Sequence, residues 1–370
     1  MFNIGSTRGV ATRHRRDVAV SGMRGMVQRL AGALCIGAIA MGFASHASAA
    51  DTAQPVKVDF ALDWRFEGPS AWFLLAKDRG YFAKEGLDVN IDVGSGSAAA
   101  ISRVASGKYQ MGFADISSLI EFVANNPDAP KMKGVYMVYD TTPATVFALR
   151  KSGITKPGDL TGKTLGAPAF DGGRRTFPIF AAANHIDVNS VKWSSMDPAM
   201  RELMLSRGQV DAITSFYFNR VALNKQGVDD KDIVAMRYGD YGVKLYGSSV
   251  LASDSFIKAH PQAVAGFVRA LNHAIKDIVA DPQLGIDAIH RRDPLADTDL
   301  ETRRLALTIA LMETPAVLQN GIGGIDPQRF QTSIEQVSKV FGLKTTPDAS
   351  ALFDSSFLPP KSERMLPVRK

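Results

Sequence analysis

Apolar and polar residues alternate with a period of two in several short segments after residue 55, and segments with apolar residues at helical spacing lie between them. The first pattern is typical of half-buried β-strands, and the second is typical of helices. The order strand, helix, strand, helix, strand predicts a layered α/β fold with a mostly parallel sheet. The predicted strands are residues 56–62, 87–93, 109–113, 133–139 and 145–150, and the predicted helices are residues 70–79, 98–106 and 116–124.

A second α/β set follows residue 156, and a region with helical patterns alone follows residue 254. Two such sets predict two α/β lobes, and the last region predicts a mainly helical C-terminal part. The predicted strands of the second set are residues 164–167, 191–194, 210–214, 233–237 and 245–252. Its predicted helices are residues 176–183, 198–206 and 218–225, and the C-terminal helices are residues 255–259, 261–280, 284–291, 302–312 and 327–341.

The first fifty residues have the composition of an export signal. Six arginines accompany an apolar run at residues 30–43, and the small residues Ala47-Ser48-Ala49 follow it. A basic segment, a short apolar run and an A-x-A site are typical of a signal peptide, and the run is shorter than a membrane span. We therefore predict a signal peptide over residues 1–50, cleaved near Ala49 or Ala50, and a periplasmic location.

Removal of this leader changes the charge and the cysteine content. It holds six arginines and one aspartate, so the formal net charge falls from +6 to +1 without it. A near-neutral chain gives no electrostatic reason to bind nucleic acid or a membrane surface. Cys35 is the single cysteine and lies in the leader, so we expect neither a disulfide nor a thiol nucleophile. The remaining histidines lack metal-ligand spacing, and we expect no metal and no cofactor.

A glycine-rich segment, GSGS at residues 94–97, joins a predicted strand to a predicted helix. With Ala99 it fits the pattern G-x-G-x-x-G/A of dinucleotide-binding loops, and Asp115 follows about 20 residues later. Free N–H groups at a helix start favour an electron-rich ligand atom, and Ser97 can cap that helix. Nicotinamide cofactors are scarce outside the cytoplasm, so in an exported protein we interpret the loop as one wall of a ligand cleft.

Six segments together resemble a known family. In this order they look like a periplasmic substrate-binding protein of an ABC importer, of the SsuA/THI5-like family, whose ligands include sulfonates, nitrate and thiamine pyrimidine precursors. The segments are FALDW (60–64), WFLLAKDRGYFAKEGLDVNIDVGSGS (72–97), VASGKYQMGFADI (104–116), DLTGKTLGAP (159–168), GQVDAI (208–213) and LYGSSVLAS (245–253).

The resemblance implies a type II periplasmic-binding-protein fold, in which two α/β lobes are joined by two crossovers and close over a ligand by a hinge motion. Lobe one would contain residues 51–142 and 248–370, and lobe two would contain residues 143–247. The implied partners are a small-molecule solute and a cognate permease and ATPase in the inner membrane. We expect the protein to be a monomer.

Candidate ligand residues follow predicted strands, at the sheet edge where open α/β folds bind ligands. Aromatic rings offer stacking faces, carboxylates accept N–H groups, glycines allow close backbone approach, and arginine binds anionic groups. The candidates are Asp63, Trp64, Ser95, Gly96, Ser97, Asp115, Tyr139, Asp171, Gly172, Gly173, Arg174, Tyr217 and Asn219.

Three assignments stay open. Asp115 either faces the cleft or serves as a helix N-cap, and either Arg174 or Arg175 is the candidate anion contact. The segment after Trp64 departs from the Asn- and His-containing segment of the thiamine-precursor members. Its Arg65 and Glu67 either make new polar contacts or lie on the surface, and we expect the surface.

The preferred hypothesis is a solute receptor without enzymatic activity, which clamps a small ring-bearing solute with an anionic or polar substituent. A small sulfonate is the alternative ligand. Two other classes remain: a sensory adaptor that uses the same clamp, and a pyrimidine synthase like fungal relatives of this fold. Those synthases carry a cysteine-rich motif, whereas residues 51–370 contain no cysteine.

Overall fold

The computed structural model describes residues 54–367. The predicted signal peptide, its cleavage site and Cys35 lie outside the described residues. Within that range, no helix combines the length and the apolar character that a membrane crossing requires.

Residues 54–367 contain ten strands, which form two sheets of five strands each. Every one of these strands overlaps a strand predicted from the alternation of apolar and polar residues. The strands are β1 (Val56–Ala61), β2 (Leu87–Asp92), β3 (Met111–Asp115), β4 (Met132–Met137), β5 (Ala144–Leu149), β6 (Thr164–Ala167), β7 (Lys192–Ser195), β8 (Ala212–Phe216), β9 (Ile233–Arg237) and β10 (Ser248–Ser253).

Each sheet has four strands in one direction and one strand in the opposite direction. The first sheet has the order β2-β1-β3-β10-β4, and β10 is antiparallel to both of its neighbours. The second sheet has the order β7-β6-β8-β5-β9, and β5 is the reversed strand. Both sheets are thus mostly parallel, as predicted. The prediction did not identify which strand is reversed, and in each sheet it is the first strand after the chain passes from the other sheet.

The helical C-terminal region is confirmed. α9 and α13 have the predicted bounds, because a proline at the first helical position marks each start and fixes a helical φ angle. The helices are α1 (Ala71–Asp78), α2 (Tyr81–Lys84), α3 (Ser97–Ala105), α4 (Ile116–Asn125), α5 (Gly172–Ala183), α6 (Arg201–Ser206), α7 (Arg220–Lys225), α8 (Asp254–Ala259), α9 (Pro261–Ala280), α10 (Pro282–Arg292), α11 (Thr298–Met312), α12 (Pro315–Asn320), α13 (Pro327–Phe341), α14 (Ala349–Leu352) and α15 (Lys361–Arg364).

Several helix starts differ from the predictions, and two of these helices, α3 and α5, begin beside candidate ligand residues. α3 begins at Ser97 itself, and the Ser97 side chain makes no capping hydrogen bond, so the predicted N-cap is wrong. α5 begins at Gly172 rather than at residue 176, so the candidate ligand residues Gly172 and Gly173 lie in the first turn of a helix. Two glycines weaken the local helix signal, but Asp171 caps this turn by accepting a hydrogen bond from the Arg174 N–H at 2.9 Å.

Both sheets are buried on both faces by three apolar clusters. Phe60 and Ala61 are neighbours in β1, yet the first joins a cluster with the C-terminal helices and the second joins the middle cluster. Val146 and Phe147 in β5 likewise belong to the middle cluster and to a third cluster. Successive strand residues point to opposite faces of a sheet, so each sheet has a different cluster on each face. The middle cluster contains residues from both sheets and is shared between them.

The two segments that connect the sheets, residues 138–143 and 238–247, are hydrogen-bonded to each other. The Gly247 N–H donates to the Tyr139 carbonyl at 2.9 Å, and the Thr142 N–H donates to the Leu245 carbonyl at 2.9 Å. The predicted lobe limits at residues 142/143 and 247/248 fall at these crossovers and stay a prediction.

Candidate functional site

A cavity lies between residues of the first sheet's part of the chain and residues of the second sheet's part. Its empty space, counted together with its opening to solvent, is about 590 Å³. Its aromatic walls are Trp64, Phe113, Tyr139, Phe216 and Phe218. Its polar and charged walls are Asp63, Arg65, Glu67, Ser70, Ser97, Asp171, Arg201 and Asn219.

Close backbone contacts explain the glycines of the glycine-rich loop, and a dinucleotide is not needed to explain them. A Cβ atom on Gly94 would lie 2.0 Å from the Leu62 carbonyl oxygen, so the loop passes tightly against the end of β1. Gly96 has a φ angle of +131°, and a Cβ atom there would lie 2.2 Å from the Phe170 carbonyl oxygen. Glycine at residue 96 therefore allows the start of α3 to touch the segment that precedes α5.

Asp63 and Ser97 are neighbours in the wall of the cavity. The Ser97 hydroxyl donates to Asp63 Oδ2 at 3.4 Å and accepts a hydrogen bond from the Asp115 N–H at 3.0 Å. Burial raises the pKa of Asp63 to about 7, and the nearby Asp115 carboxylate adds to this shift. Asp63 therefore changes its protonation state near neutral pH.

Asp115 is a helix cap in this structure. Its Oδ1 atom accepts a hydrogen bond from the Ser117 N–H at 2.9 Å at the start of α4, and it is not among the residues that line the cavity. Burial raises the pKa of Asp115 to about 6. Of the two roles left open by the sequence, the structure shows the cap.

The opposite wall carries a buried ionic group around Arg201. Arg201 Nη1 donates to Asp171 Oδ2 at 3.1 Å, and Arg201 Nε donates to Glu202 Oε1 at 2.9 Å. The guanidinium group also lies 5.6 Å from the centre of the Trp64 ring. Burial raises the pKa of Asp171, and Arg201 opposes that shift. These contacts hold the planar Arg201 cation in the cavity wall and place it against the ring of Trp64, the candidate stacking residue.

Arg201 was missed by the sequence analysis. The signal was present, because Arg201 lies four residues before Leu205 in a predicted helix and therefore on its buried face. An arginine on an apolar helix face needs buried carboxylates, and Asp171 and Glu202 supply them.

Arg174 and Arg175, the candidate anion contacts, do not line the cavity. Arg174 Nη1 donates to the Ala167 carbonyl and to Ser195 Oγ, and its guanidinium group lies over the Trp193 ring at 4.7 Å. Arg175 forms an ion pair with Glu121 at 2.6 Å. Both arginines thus hold parts of the protein together.

Three other candidates also lie away from the cavity. Ser95 is exposed, Gly173 is buried with its carbonyl accepting from the Tyr238 hydroxyl, and Tyr217 lies between Arg220 and Arg237. Arg65 and Glu67, which we expected on the surface, line the cavity instead. The cavity brings together Asp63, Trp64, Gly96, Ser97, Tyr139, Asp171, Gly172 and Asn219 from the predicted set.

Two sheets joined by paired crossovers, with a cavity between the two parts, define the periplasmic-binding-protein fold. A solved structure, the alkanesulfonate-binding protein SsuA of Xanthomonas axonopodis pv. citri bound to MOPS, superposes with a TM-score of 0.63 at 16% identity. The match covers 81% of this chain and 99% of that chain. The predicted fold class is therefore confirmed.

Sequence relatives define the family. The formylaminopyrimidine-binding protein of Halalkalibacterium halodurans is 25% identical over 285 residues, which are 75% of this chain and 83% of the relative. The riboflavin-binding protein RibY of Chloroflexus aurantiacus is 25% identical over 329 residues, which are 85% and 90%. The 4-amino-5-hydroxymethyl-2-methylpyrimidine phosphate synthase of Candida albicans is 25% identical over 259 residues, which are 67% and 75%.

The family model described as NMT1/THI5 like matches residues 69–284, more than half of the chain. The chain belongs to the NMT1/THI5-like family, and the resemblance inferred from its motifs is confirmed.

Proposed function

We propose that this protein is the extracytoplasmic solute-binding component of an ABC importer, and that it holds a small, polar, ring-bearing solute in the cavity between the two sheets. One observation carries the proposal: aromatic side chains and hydrogen-bonding groups from both parts of the chain line the same cavity. A solute that contacts both parts stabilises their closed arrangement, and such closure would present it to a permease.

The aromatic content of the cavity supports a ring-bearing solute. Trp64 projects beyond the end of β1, and Phe216 and Phe218 approach from the end of β8. Flat apolar faces on both sides favour a planar ligand, because stacking adds to the burial of apolar surface.

The charges of the cavity support a neutral or cationic solute. Three carboxyl groups line it, those of Asp63, Glu67 and Asp171. Two cations line it in the described chain: Arg201, which is buried, and Arg65, which is exposed and lies 3.8 Å from Asp197. Arg201 is already paired with two carboxylates, and the candidate anion contacts Arg174 and Arg175 are engaged elsewhere. We therefore propose a polar substituent on the solute and not an anionic one, which disfavours sulfonates.

The names of two relatives agree with this chemistry. Formylaminopyrimidine and riboflavin are both nitrogen heterocycles with N–H donors. We infer binding without catalysis for this chain, although synthases of a phosphorylated pyrimidine are also among the relatives. Support comes from the two relatives named as binding proteins and from the absence of any cysteine in residues 51–370.

The proposal is tested with purified protein and three probes: riboflavin, 4-amino-5-hydroxymethyl-2-methylpyrimidine and MOPS. Calorimetric titration should show micromolar or tighter binding of at least one heterocycle and none of MOPS. The Trp64→Ala variant should weaken that binding at least tenfold, because the stacking face is lost.

The matched control is Trp193→Ala, since Trp193 packs on Phe177 and Arg174 outside the cavity. This variant should lose stability but keep the affinity of wild type. Binding of MOPS in place of both heterocycles, or equal affinity of the Trp64→Ala variant, would contradict the proposal.

A further inference from the structure

Two buried tyrosines, Tyr136 and Tyr139, differ in whether the hydroxyl group has a hydrogen-bond partner. The Tyr136 hydroxyl donates a hydrogen bond to Asn272 Oδ1 at 2.9 Å. The Tyr139 hydroxyl is equally buried, but it has no hydrogen-bond partner among residues 54–367. Buried polar groups in native proteins nearly always have a partner, so an unpartnered hydroxyl requires an explanation.

The Tyr139 ring packs among three other aromatic rings. Its ring centre lies 6.4 Å from that of Trp72, 6.2 Å from that of Phe113 and 6.2 Å from that of Phe218. Its N–H and carbonyl groups bond to Ser248 and Gly247 in the second crossover. Because Phe218 belongs to the second sheet's part of the chain, Tyr139 lies at the boundary between the two parts and at the wall of the cavity.

Asp63 is a second polar group of the same wall whose hydrogen-bonding capacity is not filled. It is 9% exposed, and the one side chain that donates to its carboxylate is Ser97, at the long distance of 3.4 Å. Its own backbone N–H also bonds to the carboxylate. An ionised carboxylate offers about four acceptor sites, so it can still accept a hydrogen bond from a ligand. The cavity thus contains a strong acceptor and a hydroxyl without a partner on one side.

Resting on the proposed function, we propose that Asp63 and Tyr139 select solutes whose ring edge carries a hydrogen-bond donor next to an acceptor. The carboxylate of Asp63 accepts from the N–H donor, and the Tyr139 hydroxyl donates to the neighbouring ring nitrogen or carbonyl oxygen. The role of Tyr139 is then the recognition of an acceptor atom and not only the stacking that its ring type suggests.

The electrostatics of the two groups are consistent with these roles. Burial, and to a lesser degree the Asp63 carboxylate, raise the pKa of the Tyr139 hydroxyl well above its usual range. Tyr139 therefore stays protonated and is a donor at all physiological pH values. The 4-amino group and ring nitrogen of an aminopyrimidine form such an edge, as do the imide N–H and carbonyl groups of a flavin, whereas MOPS has none.

The first test compares Tyr139→Phe with Tyr136→Phe. Tyr139→Phe removes an unpartnered hydroxyl, so the ligand-free protein should keep or raise its melting temperature. Its dissociation constant for the heterocycle bound by wild type should rise about tenfold, the usual effect of losing one hydrogen bond to a ligand. Tyr136→Phe breaks a hydrogen bond within the protein, so its melting temperature should fall while its affinity stays that of wild type.

The second test uses wild-type protein and therefore does not depend on the folding of a variant. (2-Amino-4-methylphenyl)methanol has the shape and the amino donor of 4-amino-5-hydroxymethyl-2-methylpyrimidine, but carbon replaces both ring nitrogens. The inference expects at least tenfold weaker binding of this benzene analogue. It also expects the Tyr139→Phe variant to bind the two compounds with nearly equal affinity.

Equal affinities of Tyr139→Phe and wild type, or equal binding of both compounds by wild type, would overturn the inference while leaving the proposed function intact. A lower melting temperature of Tyr139→Phe with unchanged affinity would show that the hydroxyl has a structural role, and would overturn it as well. If wild type binds no heterocycle at all, the proposed function itself fails, and the two failures are thus distinguishable.

Discussion

Asp63 is a carboxyl group in a mainly aromatic wall, and its burial couples protonation to stability. Its pKa of about 7 in the folded protein lies above the ordinary value of 3.8, with burial, Asp115 and Asp171 all acting in this direction. The folded protein therefore holds a proton that the unfolded chain releases. Stability should decrease as the pH rises from about 4 to about 7, because ionisation of Asp63 costs more in the folded state.

The first prediction concerns Asp63→Asn, which mimics the protonated side chain. At pH 8 the variant should be more stable than wild type by on the order of 2 kcal/mol, and near pH 4 the two should be similar. Urea unfolding of the ligand-free proteins at both pH values measures the difference. A stability difference that is the same at pH 4 and pH 8 would contradict the assigned burial of the charge.

Arg201 shows the opposite situation, a buried cation that two carboxylates require. The second prediction is that Arg201→Met destabilises the protein by about 3 kcal/mol, because Asp171 and Glu202 then remain buried without their partner. Arg207 is exposed at the end of the same helix, and Arg207→Met should change stability by less than about 0.5 kcal/mol. Thermal unfolding of both variants checks this, and equal losses would show that Arg201 is not the centre of the group.

At the scale of single elements, α3 is flanked by two glycines, and the structure requires glycine at each of them for a different reason. Gly96 precedes the helix and touches the Phe170 backbone across the cavity, whereas Gly107 follows the helix and has no atom within 4 Å of its would-be Cβ. Both have positive φ angles, so alanine strains the backbone at either residue. Only at Gly96 does the added methyl group also separate the two parts of the protein.

The third prediction uses this pair. Gly96→Ala should prevent the solute-dependent compaction of the protein and weaken solute binding at least tenfold, because the Cβ atom displaces the Phe170 carbonyl. Gly107→Ala should cost about 1 kcal/mol of stability without changing affinity or compaction. Small-angle scattering with and without the bound heterocycle measures the compaction. A normal decrease in radius of gyration for Gly96→Ala would contradict the close approach.

The sequence predicted the elements well where the signal is local. Pro261 and Pro327 mark the starts of α9 and α13, and a predicted strand overlaps each of the ten strands that the structure describes. The sequence did not predict that β5 and β10 run opposite to their neighbours, because strand direction depends on which sheet the chain enters. Nor did it predict the first turn of α5, where tertiary contacts and the Asp171 cap outweigh the low helix propensity of two glycines.

The cavity residues were predictable in part for the same reason. Asp63 and Trp64 follow a strand directly, so their place at a sheet edge is visible in the sequence. The helical spacing of Arg201 to Leu205 indicated a buried face. The sequence does not show that this face lines the cavity, nor that Arg174 lies on Trp193. Hydrogen-bond partners, which distinguish Tyr139 from Tyr136, appear only in three dimensions.

On the scale of the whole molecule, contacts from both parts of the chain hold the two sheets together around the cavity. Arg175 in α5 pairs with Glu121 in α4 at 2.6 Å, and Arg65 near the cavity lies 3.8 Å from Asp197. α13 packs against both α4 and α5. Polar contacts of this kind can form and break during a hinge motion.

The fourth prediction compares two adjacent arginines. Arg175→Gln removes the pair with Glu121 and should weaken solute binding by about two- to fivefold, because a partly exposed ion pair contributes at most about 1 kcal/mol to closure. Arg174→Gln changes contacts within the second sheet's part alone and should leave affinity unchanged. Calorimetric titration of both variants decides the matter, and a larger loss for Arg174→Gln would support an anion contact there.

The central claim is that the cavity clamps a polar, ring-bearing solute, and native mass spectrometry of freshly purified protein tests it most directly. We predict a bound mass that belongs to a neutral or cationic heterocycle with a donor and an acceptor on one ring edge. The same preparation of the Trp64→Ala variant should lack it. An aliphatic sulfonate retained equally by wild type and by Trp64→Ala would contradict the account.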